Sequence, residues 1–305
     1  MPTSLLRVLD LEGAELDQIL GCAAELKAHP ARRLGALERR TLIGVFARPS
    51  TRTRLAFAAA AHRLGVLPLF IDADGLQLAR GEQLSDTARS LSSYASLIVA
   101  RLRAHAEVEA LAGAASVPVV NALSDRHHPC EVLASLFTLR EHFGRLEGLR
   151  LAYVGDGNNV AHSLIEGAAL AGLQIAVASP NAYRPDEDVV AAAQEVAAAT
   201  GGSVAVGRDP DAAVRGADAV FTDAWVSMGD ESDAAQRRER LAPYRVDESL
   251  MRTAAPDAVF VHCLPARRGE EVTAEVLDGP RSLVWEQVRN HLYVAGAVIW
   301  WLMKE

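Results

Sequence analysis

A short run of hydroxyl and guanidinium side chains, Ser50-Thr51-Arg52-Thr53-Arg54, is the part of this 305-residue chain best suited to bind an anion. It follows Pro49 and precedes an alanine-rich run, so we expect a helix with Ser50 as its N-cap. A helix start offers backbone amides and the positive end of the dipole, and arginine adds bidentate hydrogen bonds to phosphate oxygens. The segment therefore indicates a phosphorylated substrate; a capped surface helix with solvated arginines is the alternative.

Further reactive side chains follow predicted strands. His128 comes just before a helix that begins at Pro129, and a histidine near a helix N-terminus tends to stay neutral, which suits a donor to a developing oxyanion. Asp223 and Cys263 each follow a later strand, so we expect them in one cleft, where the carboxylate would hold an ammonium group. Taken singly, these residues are equally suited to turns, helix caps or a buried inert thiol.

The turn Gly155-Asp156-Gly157-Asn158-Asn159 invites comparison with a dinucleotide-binding loop. The third glycine of that fingerprint is replaced by Val160, and the next strand ends in Ser179-Pro180, where a ribose-binding acid is expected. We therefore interpret the segment as a tight strand-to-helix turn that presents Asn159 to a ligand, and a nicotinamide-dependent dehydrogenase is the weaker alternative.

Alternating strands and helices must position these residues. Apolar runs in the first half predict strands at residues 41–46, 67–71, 97–100 and 117–120. Runs in the second half predict strands at residues 151–154, 174–178, 203–206, 219–222 and 258–261. Such alternation is typical of α/β proteins, and we expect two doubly wound parallel-sheet domains joined by helices, with a boundary near residues 144–148.

Composition narrows the class of protein. Half of the residues are apolar and the net charge is -8, which favours a globular protein and argues against a general nucleic-acid binder. The three cysteines are far apart with no metal-ligand spacing, so we expect free thiols in a reducing compartment. The N-terminus lacks a secretory core, and the apolar run at 292–303 is shorter than the roughly 20 residues of a membrane span, so we expect a cytoplasmic protein with no membrane partner.

Taken in order along the chain, four motifs resemble the signature set of the transcarbamylases, and the last two resemble the ornithine-specific branch of that family. They are Ser50-Thr51-Arg52-Thr53, His128-Pro129-Cys130, Asp223 with Ser227-Met228-Gly229, and His262-Cys263-Leu264-Pro265. The similarity extends over nearly the whole chain. It implies transfer of a carbamoyl group from carbamoyl phosphate to the δ-amine of L-ornithine by a homotrimer, without metal or organic cofactor.

The resemblance also implies which part of the chain binds each substrate. Residues 1–143, completed by a last helix at 287–305, would bind carbamoyl phosphate, and residues 144–286 would bind ornithine. The implied carbamoyl phosphate ligands are Ser50, Thr51, Arg52, Thr53, Gln77 from a neighbouring subunit, Arg101, His128, Glu131, Cys263, Leu264 and Arg289. The implied ornithine ligands are Asn159, Asp223, Ser227 and Met228. The implied catalytic residues are Arg101, His128, Asp223 and Cys263.

Three positions depart from the family pattern. Gly81 stands where a lysine is usual, with Arg80 as its candidate substitute, and Glu131 replaces the usual glutamine after His-Pro-Cys. Both changes bear on carbamoyl phosphate affinity, and we hypothesise that Glu131 accepts a hydrogen bond from the carbamoyl amide. Ala58 replaces a glutamate and concerns packing. The alternatives left open are a transcarbamylase for putrescine or an N-acyl-ornithine, and a non-catalytic carbamoyl-phosphate-binding subunit.

Overall fold

The computed structural model describes residues 4–29, 37–72, 75–77, 81–226 and 231–304. Contacts divide the chain into two compact units, of which the first comprises Met1–Phe137 and Arg289–Glu305 and the second comprises Thr138–Val288. The boundary that the sequence predicts after residue 143 lies at the end of a helix, whereas the contacts divide that helix within its length.

The first unit contains a four-stranded parallel sheet in the order β2-β1-β3-β4. Its strands are β1 Thr41–Phe46, β2 Leu67–Asp72, β3 Leu97–Arg101 and β4 Val119–Leu123. Its helices are α1 Gly13–Ala28, α2 Arg52–Arg63, α3 Leu84–Ser92 and α4 His105–Ala114, followed by α5 Pro129–Phe143, which continues into the second unit. Strand β3 is buried along its full length, as expected of a central parallel strand.

The carboxyl ends of β1 and β3 form the switch point of the first sheet. Strand β1 has β2 on one side and β3 on the other, so the connections leave it in opposite directions. Phe46 pairs with Arg101 there, and the amide of Ala47 donates to the carbonyl oxygen of Arg101 at 2.8 Å. Because ligands of open α/β sheets bind at such a point, the loop that begins α2 and the side chain of Arg101 share the favoured position.

The second unit contains a five-stranded parallel sheet in the order β7-β6-β5-β8-β9. Its strands are β5 Arg150–Val154, β6 Gln174–Ala178, β7 Ser203–Gly207, β8 Ala219–Thr222 and β9 Val259–His262. Its helices are α6 Asn159–Leu170, α7 Glu187–Thr200, α8 Pro210–Val214, α9 Ala234–Leu241, α10 Glu248–Met251 and α11 Ala274–Leu277, followed by α12 Val284–Met303, which ends in the first unit. Here the switch point lies between β5 and β8, where the hydroxyl of Thr222 donates to the carbonyl oxygen of Val154 at 2.6 Å.

The prediction of an α/β fold with two parallel sheets is confirmed. Three strands, β1, β6 and β8, have the predicted bounds, and β4 begins two residues later than predicted. Pro118 lacks the amide proton that a ladder needs, which explains the later start. Among the described residues, no helix combines the length and apolarity that crossing a membrane requires.

Candidate active site

The first element of the candidate site is the N-terminus of α2. The prediction that Ser50 is its N-cap is wrong: Thr51 occupies that position with helical dihedral angles, and its carbonyl oxygen accepts the first helical bond, from Leu55 at 3.0 Å. The Thr51 side chain makes no capping bond to the amides of the first turn, which are the groups that would bind an anion at a helix N-terminus. Thr53 is buried in this turn, while Arg54 stacks on Phe46 and pairs with Asp72 at 2.8 Å.

Arg101 is a buried cation at the end of β3, with only 6% of its surface exposed. Burial lowers the pKa of its guanidinium to about 10, the positive charge of Arg48 lowers it further, and Glu131 acts in the opposite direction. Its Nε atom makes no hydrogen bond with any described residue. A buried guanidinium among other cations is the environment that an anionic ligand would stabilise.

His128 is buried directly before α5. Burial lowers the pKa of its imidazole to about 3, against the opposing influence of Glu131, so the ring is neutral near pH 7. A neutral imidazole donates one hydrogen bond without bringing a charge, as the sequence analysis expected for this position.

The loop before His128 is held by Asn121, a residue that the sequence analysis did not identify. Its Nδ2 donates to the carbonyl oxygens of Leu6 and His127, at 2.9 and 3.2 Å, and its Oδ1 accepts from the amide of Leu123 at 3.0 Å. Asn121 is completely buried. Its position within the apolar strand β4 is the sequence signal that could have identified it, because a buried amide side chain there must find hydrogen-bond partners.

Glu131 lies in the first turn of α5 and is buried with 5% exposure. His291 of α12, buried with 4% exposure, places its Nε2 3.0 Å from Oε2 of the Glu131 carboxylate. The Nε2 of His128 lies farther from the same oxygen, at 3.9 Å, which is too long for a hydrogen bond. Arg289, predicted as a carbamoyl phosphate ligand, is exposed on α12, and the predicted contact gains no support from that position.

In the second unit, Asp223 follows β8 and is held through both carboxylate oxygens. Asn158 donates from Nδ2 to Oδ2 at 2.7 Å, and the Cys263 thiol lies 2.9 Å from Oδ1, which also accepts from the amide of Ala224 at 2.7 Å. Asp223 and Cys263 are both buried, and the expectation that they meet at the ends of β8 and β9 agrees with this geometry. Asn159, the predicted ligand of this turn, is half-buried beside Asn158.

In the glycine-rich turn after β5, another segment of the backbone packs directly against Gly157. A Cβ atom on Gly157 would lie 2.2 Å from the backbone nitrogen of Pro185, and the Gly157 amide donates to the carbonyl oxygen of Tyr183 at 2.8 Å. Asn158 caps α6, with Oδ1 accepting from the amides of Val160 and Ala161. The close approach that Gly157 permits is thus an approach of the chain's own backbone, which agrees with a structural turn.

The segment after β9 is fixed by His262. Its Nδ1 accepts from the amide of Leu264 at 2.8 Å, and its Nε2 lies 3.5 Å from Glu271, with both side chains completely buried. Leu264 has a φ of 58°, a left-handed conformation that is unfavourable for leucine. Asp223, His262 and Cys263 have ligand atoms within 4.8 Å of one another, and all three are engaged in the hydrogen bonds given above.

The remaining predicted residues are less informative. Gln77 is exposed, as a residue reaching a neighbouring subunit would be. Gly81 is exposed with a φ of 91°, a conformation that would strain the lysine usual at this position. Ser227, Met228 and Arg80 lie outside the described residues.

Comparison with known proteins matches two family models. Residues 3–141 match the carbamoyl-P binding domain of aspartate/ornithine carbamoyltransferase, and residues 147–302 match its Asp/Orn binding domain. An ornithine carbamoyltransferase of Symbiobacterium thermophilum is 50% identical over 293 residues, which cover 95% of this chain and 94% of that protein. One from Acidothermus cellulolyticus is 49% identical, with 96% and 94% covered.

Solved structures agree with the relatives. The ornithine carbamoyltransferase from Pyrococcus furiosus superposes with a TM-score of 0.95 at 45% identity, covering 99% of this chain and 97% of that one. The enzyme from Gloeobacter violaceus superposes with a TM-score of 0.90 at 42% identity, covering 99% of both chains. Matches of this identity and coverage, on a chain that carries the buried arginine, neutral histidine and paired aspartate described above, show that it belongs to the aspartate/ornithine carbamoyltransferase family.

Proposed function

We propose that this protein is an ornithine carbamoyltransferase, which transfers the carbamoyl group of carbamoyl phosphate to the δ-amine of L-ornithine and releases L-citrulline and phosphate. Its family membership and its relatives support this activity. The proposal rests mainly on two buried side chains of the first unit, the cationic guanidinium of Arg101 and the neutral imidazole of His128. That combination suits an anionic substrate whose carbonyl oxygen gains charge during the reaction.

In this proposal carbamoyl phosphate binds to the first unit. Ser50, Thr51, Arg52 and Thr53 hold the phosphate at the N-terminus of α2, where amides and the helix dipole favour an anion. Arg101 and His128 donate to the carbamoyl carbonyl oxygen, and Glu131 accepts from the carbamoyl amide. The contacts expected from Cys263, Leu264 and Arg289 stay predictions.

L-Ornithine binds to residues of the second unit. The Asp223 carboxylate, already oriented by Asn158 and Cys263, accepts hydrogen bonds from the α-ammonium group. Asn159, Ser227 and Met228 complete the amino-acid site in this proposal. A carboxylate acceptor discriminates against substrates whose α-amine is acylated, because an amide nitrogen carries neither the charge nor the same donors.

Chemistry then proceeds without a cofactor. The neutral δ-amine attacks the carbamoyl carbon, the C=O electrons move to oxygen, and the tetrahedral intermediate collapses with cleavage of the C–O bond to phosphate. The amine loses one proton, which the departing phosphate accepts. Catalysis comes mainly from orientation and from donors at the developing oxyanion, and loss of one such donor typically costs about 3 to 4 kcal/mol.

We further propose that the protein is a cytoplasmic homotrimer in which Gln77 reaches the site of a neighbouring subunit. The exposed position of Gln77 supports the contact with a neighbouring subunit, and Cys22, Cys130 and Cys263, which form no disulfide, support a reducing compartment. Light scattering coupled to size exclusion tests it, since a trimer has three times the 32.6 kDa mass of one chain.

The activity is tested by measuring ureido product from carbamoyl phosphate with equal concentrations of L-ornithine, N-acetyl-ornithine, putrescine, L-lysine and L-aspartate. We expect L-ornithine to be strongly preferred and the activity to be lost in His128→Ala. Preference for another amine would contradict the substrate assignment and retain the family. Absence of product from every amine, with carbamoyl phosphate still bound, would indicate a non-catalytic subunit.

A further inference from the structure

Glu131 and His291 form a buried hydrogen bond that joins α5 to α12. Both side chains are buried by more than nine-tenths, and their Nε2–Oε2 distance of 3.0 Å is that of a hydrogen bond. One residue lies on α5 and the other on α12, and both positions belong to the first unit. A buried carboxylate needs such a partner, because an unpaired charge in the interior is strongly disfavoured.

The direction of this hydrogen bond follows from its atoms. An ionised carboxylate only accepts, so Nε2 of His291 carries the proton and donates it to Oε2. The other ring nitrogen, Nδ1, is buried and makes no hydrogen bond with the described residues, so Nε2 is the nitrogen through which the ring contacts Glu131. His291 therefore orients Glu131 through a charge-assisted hydrogen bond.

The surroundings of Glu131 make its orientation important. Burial lowers the pKa of Arg101, at the end of β3, and of His128, just before α5, and the charge of Glu131 opposes both of these shifts. Arg52, at the start of α2, and Arg48, in the loop before it, contribute the positive charges that act on Arg101. The Glu131 carboxylate thus lies among cations, two of which, Arg52 and Arg101, we assign to carbamoyl phosphate. Depending on where it points, it would either bind the carbamoyl amide or repel the phosphate.

We propose that His291 is a positioning residue for carbamoyl phosphate: its Nε2–H fixes the Glu131 carboxylate in the orientation that accepts the carbamoyl amide and keeps its charge from the phosphate oxygens. This inference rests on the proposed function, since it uses the same site. The hydrogen bond from His291 also stabilises the carboxylate at the position where the family pattern has glutamine. Glu131 and His291 then act as one unit, so the effect of removing the His291 donor should depend on the presence of the Glu131 carboxylate.

The test is a double-mutant cycle in the full-length protein. We expect His291→Ala to raise the KM for carbamoyl phosphate about tenfold, with a smaller change in kcat and in the KM for ornithine, because the Glu131 carboxylate loses the α12 donor that fixes its orientation. His291→Gln retains an N–H donor and should restore the KM to within about threefold of wild type. In a Glu131→Gln background the same His291→Ala change should alter the KM by less than about twofold.

Two results would overturn the proposal. The first is an equal rise in KM from His291→Ala in both backgrounds, since the effect would then not pass through Glu131. The second is a His291→Gln protein no better than His291→Ala. Should His291→Ala fail to fold, His291→Phe, which keeps a ring and lacks the donor, takes its place in both backgrounds. His62→Ala, an exposed histidine on α2, is the matched control and should leave the KM unchanged.

Calorimetric titration with freshly dissolved carbamoyl phosphate, without any amine, separates this inference from the proposed function. If the wild-type protein binds carbamoyl phosphate but carbamoylates no amine, the proposed function fails while the cycle of binding constants still tests His291. If ornithine is carbamoylated but the binding constants show no coupling between His291 and Glu131, the function stands and the positioning role is refuted.

Discussion

Replacing Arg101 with methionine should stabilise the protein while abolishing its affinity for carbamoyl phosphate. Arg101 is 94% buried, and burial together with Arg48 lowers the pKa of its guanidinium to about 10, well below its ordinary value. At neutral pH the side chain is charged in both the folded and unfolded states. The lowered pKa therefore measures how much the folded state disfavours that charge.

The magnitude follows from the pKa. Each pKa unit corresponds to about 1.4 kcal/mol, so keeping this guanidinium charged in the fold costs on the order of 3 kcal/mol. Methionine has a similar length and no charge, and some of the gain is offset by the guanidinium contacts that are lost. We expect Arg101→Met to raise the free energy of unfolding by roughly 1 to 3 kcal/mol.

The assay is urea unfolding with and without carbamoyl phosphate. Ligand at a hundredfold excess over its Kd stabilises a binding protein by about 2.7 kcal/mol, so wild type should gain this amount and Arg101→Met almost none. Arg103→Met is the control, because Arg103 is exposed two residues away and its replacement should change stability by less than about 0.5 kcal/mol. A less stable Arg101→Met protein would refute the reasoning that the buried charge is a destabilising element maintained for binding.

Three further outcomes follow from the structure. Burial lowers the pKa of His128 to about 3, so between pH 3 and about 6.5 the unfolded state binds a proton that the folded state does not bind. The free energy of unfolding should therefore fall as the pH is lowered through this window. His128→Gln should make the urea midpoint less dependent on pH in the same window. Asp223→Asn should lower kcat/KM for ornithine by roughly a hundredfold through the loss of a charged contact, while calorimetry finds carbamoyl phosphate binding unchanged; an unchanged kcat/KM would remove Asp223 from the site. Gly157→Ala should lower the free energy of unfolding by roughly 1 to 3 kcal/mol because its Cβ meets the Pro185 backbone, whereas Gly207→Ala, with open space, should be close to neutral.

Much of the fold follows from the sequence because its physical signals are local. Strands such as β1 and β6 are continuous apolar runs bounded by turn residues, which is the pattern of a buried parallel strand. The predicted start of α2 was less accurate than the predicted strands. A serine after Pro49 is a good N-cap by composition, yet Thr51 takes helical dihedral angles and begins the helix one residue later than predicted.

The candidate site was only partly predictable, because its supporting contacts join distant parts of the chain. His128, Asp223 and Cys263 follow strands or precede a helix, and these positions are visible in the sequence, whereas Arg101, the last residue of β3, was named only by the resemblance. His291 was missed although α12 carries a usable signal: its buried residues recur three and four positions apart. That buried face comprises Gln287, Asn290, His291 and Val294, and excludes Arg289.

Asn158 was missed for a different reason. The sequence offers two adjacent asparagines after the glycine turn, and only the geometry of the helix start decides which one turns toward Asp223. Its side chain caps α6 through oxygen and binds Asp223 through nitrogen, so one residue fulfils two requirements. A sequence pattern can indicate a helix cap or a partner for Asp223, but it does not show that one side chain provides both.

Carbon-13 NMR of a reaction between carbamoyl phosphate labelled at its carbonyl carbon and L-ornithine tests the central claim most directly. We predict that the label appears in the ureido carbon of L-citrulline, bonded to the δ-nitrogen, with one phosphate released for each citrulline formed. Label found only in the products of carbamoyl phosphate hydrolysis, or on the α-nitrogen, with ornithine otherwise unchanged, would contradict the proposed transfer.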